Sequence, residues 1–266
     1  MLECFRIIVL LMLLISFGCK PKTIERTVFD ESIGTNGILC LTFDDRHFDS
    51  WTNISGTLRK YNARVTFFPC GKLTDEDCKK LKFLHDKEGH SIGCHSVSHG
   101  SIPAKLDRMF NWCVWYTEIY PQVGTLEKYG IVPQVFAYPY NDCNERSDKF
   151  LLDYFKLLRV GVHSGYTTNG VSIVELADVF YRYNDLHKVS KMKSVGVGDY
   201  YSTDVADICR GIERIATNNE VLVLFSHGIY DNADFINMKT EWLVEILECC
   251  RSNNVSCVGM DELPFK

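Results

Sequence analysis

The apolar run Gly37–Phe43, closed by the adjacent carboxylates Asp44 and Asp45, constrains this chain more than any other stretch. A short run without polar alternation reads as a strand buried on both faces, and such strands belong to parallel sheets covered by helices. Ligands gather at the carboxyl ends of those strands, which places Asp44 and Asp45 where chemistry is done. Alone, an Asp-Asp pair also serves to cap a following helix. The rest of the chain has to decide between the two readings.

Similar runs recur at Val65–Phe68, Ser91–Cys94, Val135–Tyr138, Leu157–Val162, Val179–Tyr183, Val221–Phe225 and Val255–Val258. Between them lie stretches with helical spacing. Phe48, Trp51, Ile54, Leu58 and Tyr61 predict one helix over 47–61, and Thr74 caps another that Gly89 stops. Two amphipathic stretches, 104–120 and 123–129, are divided by Pro121, which should kink or end the helix there. Further helices are expected over 145–155, 204–217 and 239–250. Residues 164–200 yield only the strand Val179–Tyr183. Strands alternating with helices predict parallel βαβ units. With 266 residues, 46% of them hydrophobic, the chain is large enough for seven or eight such units to close into an α/β barrel.

The formal net charge of −5, with Lys and Arg scattered singly, leaves no basic footprint and excludes nucleic acid as a partner. The Lys79, Lys80, Lys82 group reads as a solvated helix face. Arg6 precedes the apolar segment Ile7–Phe17, about half the roughly 20 residues of a spanning helix. Gly18-Cys19 follows, so residues 1–19 resemble a bacterial lipoprotein signal with Cys19 as the lipid-modified N-terminus, although Ser16 stands where such signals usually have Leu. An ordinary cleaved signal or an uncleaved anchor is the other reading; all three predict export, and the lipoprotein reading predicts anchoring in a bacterial cell envelope, periplasmic or surface-facing. Residues 20–33 read as a polar tether and 34–266 as the folded domain. Of twelve cysteines none forms a CxxC pair, so most are expected to be small core residues, with one or two disulfides left open.

The strand ends collect polar residues on one face: Asp44 and Asp45 after the first, His95 and His99 after the third, Tyr140 after the fourth, and Ser226-His227 after Val221–Phe225. Histidines four apart project from one side if the segment is helical. Two histidines and a carboxylate make a transition-metal set with open positions. LTFDD, GHSIGCHSVSH, FAYPYN and LVLFSH, spanning 41–227, together resemble the motifs of the polysaccharide deacetylase family, carbohydrate esterase family 4, which carries the NodB homology domain. The resemblance implies an α/β fold over 34–266, a distorted NodB-like (β/α) barrel of about seven strands related to the TIM barrel, and a divalent metal, usually zinc, held by Asp45, His95 and His99. It also implies Asp44 as general base, His227 as general acid and Tyr140 as an oxyanion contact through its backbone N–H. The expected activity is removal of acetyl groups, from nitrogen or oxygen, on an acetylated glycan.

Three departures stand beside the matches. Ala137 occupies the position of a family arginine that orients the base, leaving Arg46, Arg159 or Arg182 to replace it. Arg46 stands where glycine usually follows the paired carboxylates, and the Asp-rich fourth motif is missing, with Asp185 and Asp199 as its candidates. Ala137 and the missing fourth motif favour a second reading, a weakened carbohydrate-binding protein that keeps the metal site; intact Asp44 and His227 favour the enzyme. His47 reads as a helix-start residue at the groove edge, and His90 as structural. His85, His163 and His187 read as surface or hydrogen-bonded side chains. Tyr138 and Tyr140 flank a strand end and are expected to contact sugar. Trp51, Trp112, Trp115 and Tyr116 read mostly as core.

Overall fold

The computed structural model describes residues 36–162, 171–176, 178–233 and 235–264. The expected signal, tether and His163 lie outside them. Strand β1 (Gly37–Asp45) is nine residues long and buried along nearly its whole length. It is the centre of the sheet. One edge pairs in parallel with β8 (Glu220–Ser226). The other edge is shared, with β11 (Val255–Cys257) on Gly37–Leu39 and β2 (Thr66–Pro69) on Thr42–Asp45.

With β3 (Ser91–Ile92), β4 (Val135–Ala137), β5 (Leu157–Gly161) and β7 (Lys191–Gly196), the order is β3-β2-β1-β8-β7-β5-β4. A parallel bridge between Cys94 and Phe136 joins the ends of that path. The result is a nearly closed seven-stranded barrel, as expected. Strand β6 (Phe180–Arg182) adds to β8 from outside and runs antiparallel. A small parallel pair, β9 (Ile229–Tyr230) and β10 (Met238–Lys239), follows β8.

Alternation along the strands sorts side chains into two shells. On β1, Leu39, Leu41 and Phe43 join the outer core beneath the helices, whereas Ile38 and Cys40 join the barrel interior with Val135, Ala137, Leu157, Val221 and Val223. Asp44 continues the interior row. Arg159 continues it from Leu157, and Ser194 from Met192. The chemistry of the site therefore sits on the last inward layer of the barrel.

The helical expectations hold with local corrections. The helix expected over 47–61 is two, Phe48–Asn53 and Ser55–Lys60, meeting at Ile54. Thr52 Oγ1 donates to the Phe48 carbonyl (2.6 Å) and Ser55 Oγ to that of Thr52 (2.7 Å), a local competition that breaks the ladder. The helix Asp75–Asp86 begins with a capping box between Thr74 and Asp77. Pro121 opens the first turn of Tyr120–Lys128 and does not end a helix. Strand β7 was not foreseen, because Lys191, Lys193 and Gly196 dilute its apolar signal. One disulfide, Cys209–Cys249, ties the helix Val205–Asn218 to the helix Thr240–Ser252. No helix among the described residues is long and apolar enough to cross a membrane.

Candidate active site

β1 ends at Asp45, whose φ of 80° turns the chain out of the sheet. This turn lets both adjacent carboxylates face one site despite strand alternation. After β3 the chain reaches His95 and His99 through a loop, with Ser96 (φ 65°) and His99 (φ 52°) left-handed; the segment is not the helix that the spacing allowed. The two imidazoles converge nonetheless, Nε2 to Nε2 at 3.2 Å. Asp45 Oδ1 lies 3.1 Å from His99 Nε2 and 3.7 Å from His95 Nε2. Ligand atoms of Asp45, His95 and His99 all fall within 4.8 Å of one another.

The loop is held by side chains that sequence reading missed. Buried Gln122 accepts from the His95 N–H (3.1 Å) and donates to the Pro69 carbonyl (2.8 Å), locking the loop to the end of β2. Glu118 accepts from the Ser98 N–H (3.0 Å) and hydroxyl (2.7 Å), while Lys105 neutralises it at 2.8 Å. Neither belongs to a motif; their only signal is a polar residue on an otherwise buried face.

Asp44 is 3% exposed and lies 2.5 Å from the guanidinium of Arg159, itself fully buried. Among the three arginines considered, the structure brings Arg159 to the carboxylate. Arg46 binds Asp77 and the Cys70 and Lys72 carbonyls, stapling the following loop, and Arg182 lies exposed on β6. Ala137 and Arg159 are direct register partners on β4 and β5, both inward. The small residue on one strand leaves room for the guanidinium from the next. Arg159 also lies over the rings of Phe68 (5.4 Å) and Phe225 (4.8 Å) and donates to Ser194 Oγ at 3.3 Å. Buried Tyr201, unforeseen in the sequence, packs on Phe225 with centroids 5.1 Å apart. Burial and then the Asp44 charge push its phenol pKa up.

His227, at the end of β8, points Nε2 toward Asp45 Oδ2 at 3.8 Å. Its Nδ1–H donates to the Ile236 carbonyl (3.2 Å), and buried Trp51 Nε1–H donates to the His227 carbonyl (3.0 Å). Neither fourth-motif candidate fills that position. Asp185 pairs with Lys188 (2.6 Å) and Asp199 lies 3.6 Å from Lys239. His47 immediately precedes its helix at the groove edge, bonded to the Tyr230 hydroxyl at 2.9 Å. His90 is buried beside Phe67 and accepts from the Val65 N–H (3.3 Å), a structural place.

Tyr140 is exposed beside the site, left-handed at φ 56°, with its ring 4.7 Å from that of His99. Tyr138 is not at the mouth. It is 1% exposed, with its hydroxyl bonded to Asp148 (2.8 Å) and Ser147 (3.1 Å), because the strand's alternation turns it into the outer core. Trp51 is core as expected, but Trp112 and Tyr116 are exposed.

Electrostatics separate the two histidines. Burial pushes His95 down to about 4, and its Nδ1–H donates to the Ala137 carbonyl (2.8 Å), which leaves the Nε2 lone pair facing the site. His99 is raised by its hydrogen bond with Asp45. Burial would raise the Asp45 carboxyl, but the His99 hydrogen bond and the charges of His95, His227 and His99 overcome it and hold the group below the usual carboxylate range.

Two imidazole nitrogens 3.2 Å apart beside a carboxylate form a donor set that one cation satisfies jointly. Asp44 Oδ1 is buried without a hydrogen-bond partner, an acceptor left over at the same place. The residues fit a divalent metal.

The fold and this site define a NodB-type (β/α) barrel with a two-histidine, one-carboxylate centre. Residues 33–154 match the family model described as polysaccharide deacetylase. A family 4 carbohydrate esterase from Streptomyces lividans, solved with acetate, is 16% identical, aligning over 85% of this chain and 94% of that one with a TM-score of 0.54. The chitin deacetylase of the fungus Colletotrichum lindemuthianum is 14% identical over 88% of this chain and 90% of that one, TM-score 0.58. A mutant of a family 4 pseudoenzyme with restored enzymatic activity is 13% identical over 85% and 66%, TM-score 0.55. At these identities the structures speak to fold alone. No curated protein matches the chain.

Proposed function

We propose that this chain is a metal-dependent hydrolase that removes acetyl groups from an acetylated glycan, and that it works at a cell envelope, attached through a lipidated Cys19. The observation that carries the reading is the placement of Asp44 as a buried, arginine-held carboxylate directly beside the Asp45–His95–His99 set. A pure binding site has no use for a second, separately oriented carboxylate there.

Asp45, His95 and His99 would hold the ion, zinc by donor type, which when bound polarises an acyl carbonyl and makes a water acidic. Asp44 takes the proton from the attacking water. Its Oδ2 is fixed by Arg159, and its Oδ1 is free of other partners. The backbone N–H of Tyr140 donates to the oxyanion of the tetrahedral acyl carbon. His227 Nε2, lying beyond Asp45 with its Nδ1 proton fixed on the Ile236 carbonyl, delivers a proton to the leaving nitrogen or oxygen. Base and acid are thus separate groups with separate supports.

The second reading, a glycan-binding protein with weak turnover, draws on one observation: the Nδ1–H of His227 is held by the Ile236 carbonyl, and neither Asp185 nor Asp199 stands at that position. Acetate release separates the readings. Chelated protein, with and without restored zinc, is offered acetylated chitooligosaccharides, peptidoglycan fragments and acetylated xylan. Zinc-dependent release from one of them, reduced by about 10²–10⁴-fold in Asp44→Asn, is the expected result. Stoichiometric zinc without release from any would favour the binding protein.

A further inference from the structure

We infer that the segment 110–120, with Tyr154, forms a second glycan-binding surface, a polymer platform outside the catalytic groove. The inference rests on the glycan reading above and adds a site to it. Phe110 (74% exposed), Trp112 (64%), Tyr116 and Tyr120 all present rings to solvent, and Tyr154 is exposed beside them. Phe110 and Trp112 lie with nearly parallel planes, 6° apart, at 6.5 Å between ring centroids. Trp115 stacks on Tyr154 at 3.7 Å, and Tyr120 meets the edge of Tyr116 at 5.6 Å.

The backbone is shaped to bring these rings together. Pro121 has no N–H, and in an α-helix its ring would strike the carbonyl of Thr117. The chain meets this with a π-helical turn over Trp115–Ile119, in which the Tyr120 N–H reaches back to the Trp115 carbonyl. Residues five apart on an α-helix point about 140° away from each other. On the widened turn Trp115 and Tyr120 instead approach to 6.0 Å between ring centroids. The inward face of the same turn carries Glu118, which holds the Ser98 N–H in the loop between His95 and His99. One turn therefore supports the metal-site loop on one side and the aromatic surface on the other, and π turns recur at functional positions.

The charge of the patch selects its occupant. Lys105 is neutralised by Glu118 (2.8 Å) and Arg146 by Asp107 (3.1 Å), and Glu118 is the one charged residue within 110–120. A surface built for an anionic lipid layer needs uncompensated cations among its rings. A neutral patch of flat rings with phenol hydroxyls suits a polymer that offers C–H faces and hydroxyl groups together, an uncharged stretch of glycan.

The test measures depletion of wild-type protein, Trp112→Ala, Phe110→Ala/Trp112→Ala and Tyr116→Ala by insoluble chitin, peptidoglycan sacculi and acetylated xylan. Acetate release from short acetylated oligosaccharides is followed in parallel, and thermal midpoints confirm that each variant is folded. The expected result is wild-type binding to at least one polymer, weakened about tenfold by Trp112→Ala and further in the double variant, with short-substrate turnover unchanged. Absence of wild-type binding to all three polymers overturns the platform, as does binding that survives the double variant. So does ring-dependent binding to phosphatidylglycerol vesicles without polymer binding. Because depletion needs no turnover, a failure of the deacetylase reading would appear in the acetate arm alone.

Discussion

The two halves of the barrel rim differ in what they contribute and in how they can be read. Strands β1 to β4 supply Asp44, Asp45, His95 and His99, all inside the region 33–154 that matches the family model. The second half, from β5 through the segments that follow β7 and β8, supplies Arg159, Tyr201 and His227, and the Ile236 carbonyl that orients His227. In the first half residue type and position are bound together, because a metal accepts few donor types at fixed distances. In the second half a supporting group need only reach its target, and any inward position on a neighbouring strand will serve. Arg159, standing in register beside Ala137, shows that freedom directly.

The comparison breaks first at the ligands. Asp45→Asn should lose stoichiometric zinc and with it all measurable acetate release, while the circular dichroism spectrum remains that of wild type. Zinc retained at full occupancy would remove Asp45 from the set. Next comes the loop that carries the histidines. Gln122→Ala leaves the His95 N–H and the Pro69 carbonyl without their side-chain partner. A destabilisation of about 1–3 kcal/mol in urea unfolding is expected, together with a zinc affinity roughly 10–100-fold weaker.

The smallest effect is on pH. His99 is raised by its hydrogen bond with Asp45, whereas burial holds His95 at about 4. As pH falls through the raised value, protons compete with zinc at His99, and His95 stays neutral until far lower. Competition titrations between pH 8 and 5.5 should show affinity falling with a slope of one proton. A slope of two would mean that His95 titrates alongside it.

These expectations also mark what could be read from the residues. The barrel, its strand-end constellation and the buried places of Trp51 and His90 were legible because apolar runs and helical spacing report burial directly. Strand β7 was hidden by Lys191, Lys193 and Gly196, which interrupt the pattern at a strand that is half-covered at its start. Tyr138 was misplaced because proximity to a strand end does not fix which face a residue takes, and one residue of alternation put its ring in the outer core. Trp112 and Tyr116 were read as core because their spacing is helical; Trp112 instead lies on the exposed face of the short helix Asn111–Val114, which buries only Val114, and Tyr116 lies exposed on the π turn that follows. Gln122 and Glu118 carry no periodic or motif signal, since a single buried polar residue is recognised only when its partner is known.

The account holds that a base from one half of the rim is fixed by an arginine from the other, and relocating that arginine tests it most directly. Arg159→Ala removes the partner of a buried carboxylate, a change that costs about 3–5 kcal/mol where the charge stays uncompensated. Ala137→Arg/Arg159→Ala returns a guanidinium from the adjacent register position. The measurement is kcat/KM for acetate release, with zinc stoichiometry determined on each protein. The account predicts full zinc binding in both variants, activity lost in Arg159→Ala and regained in part in the double variant, with the pH profile of wild type. Undiminished activity in folded Arg159→Ala would contradict it.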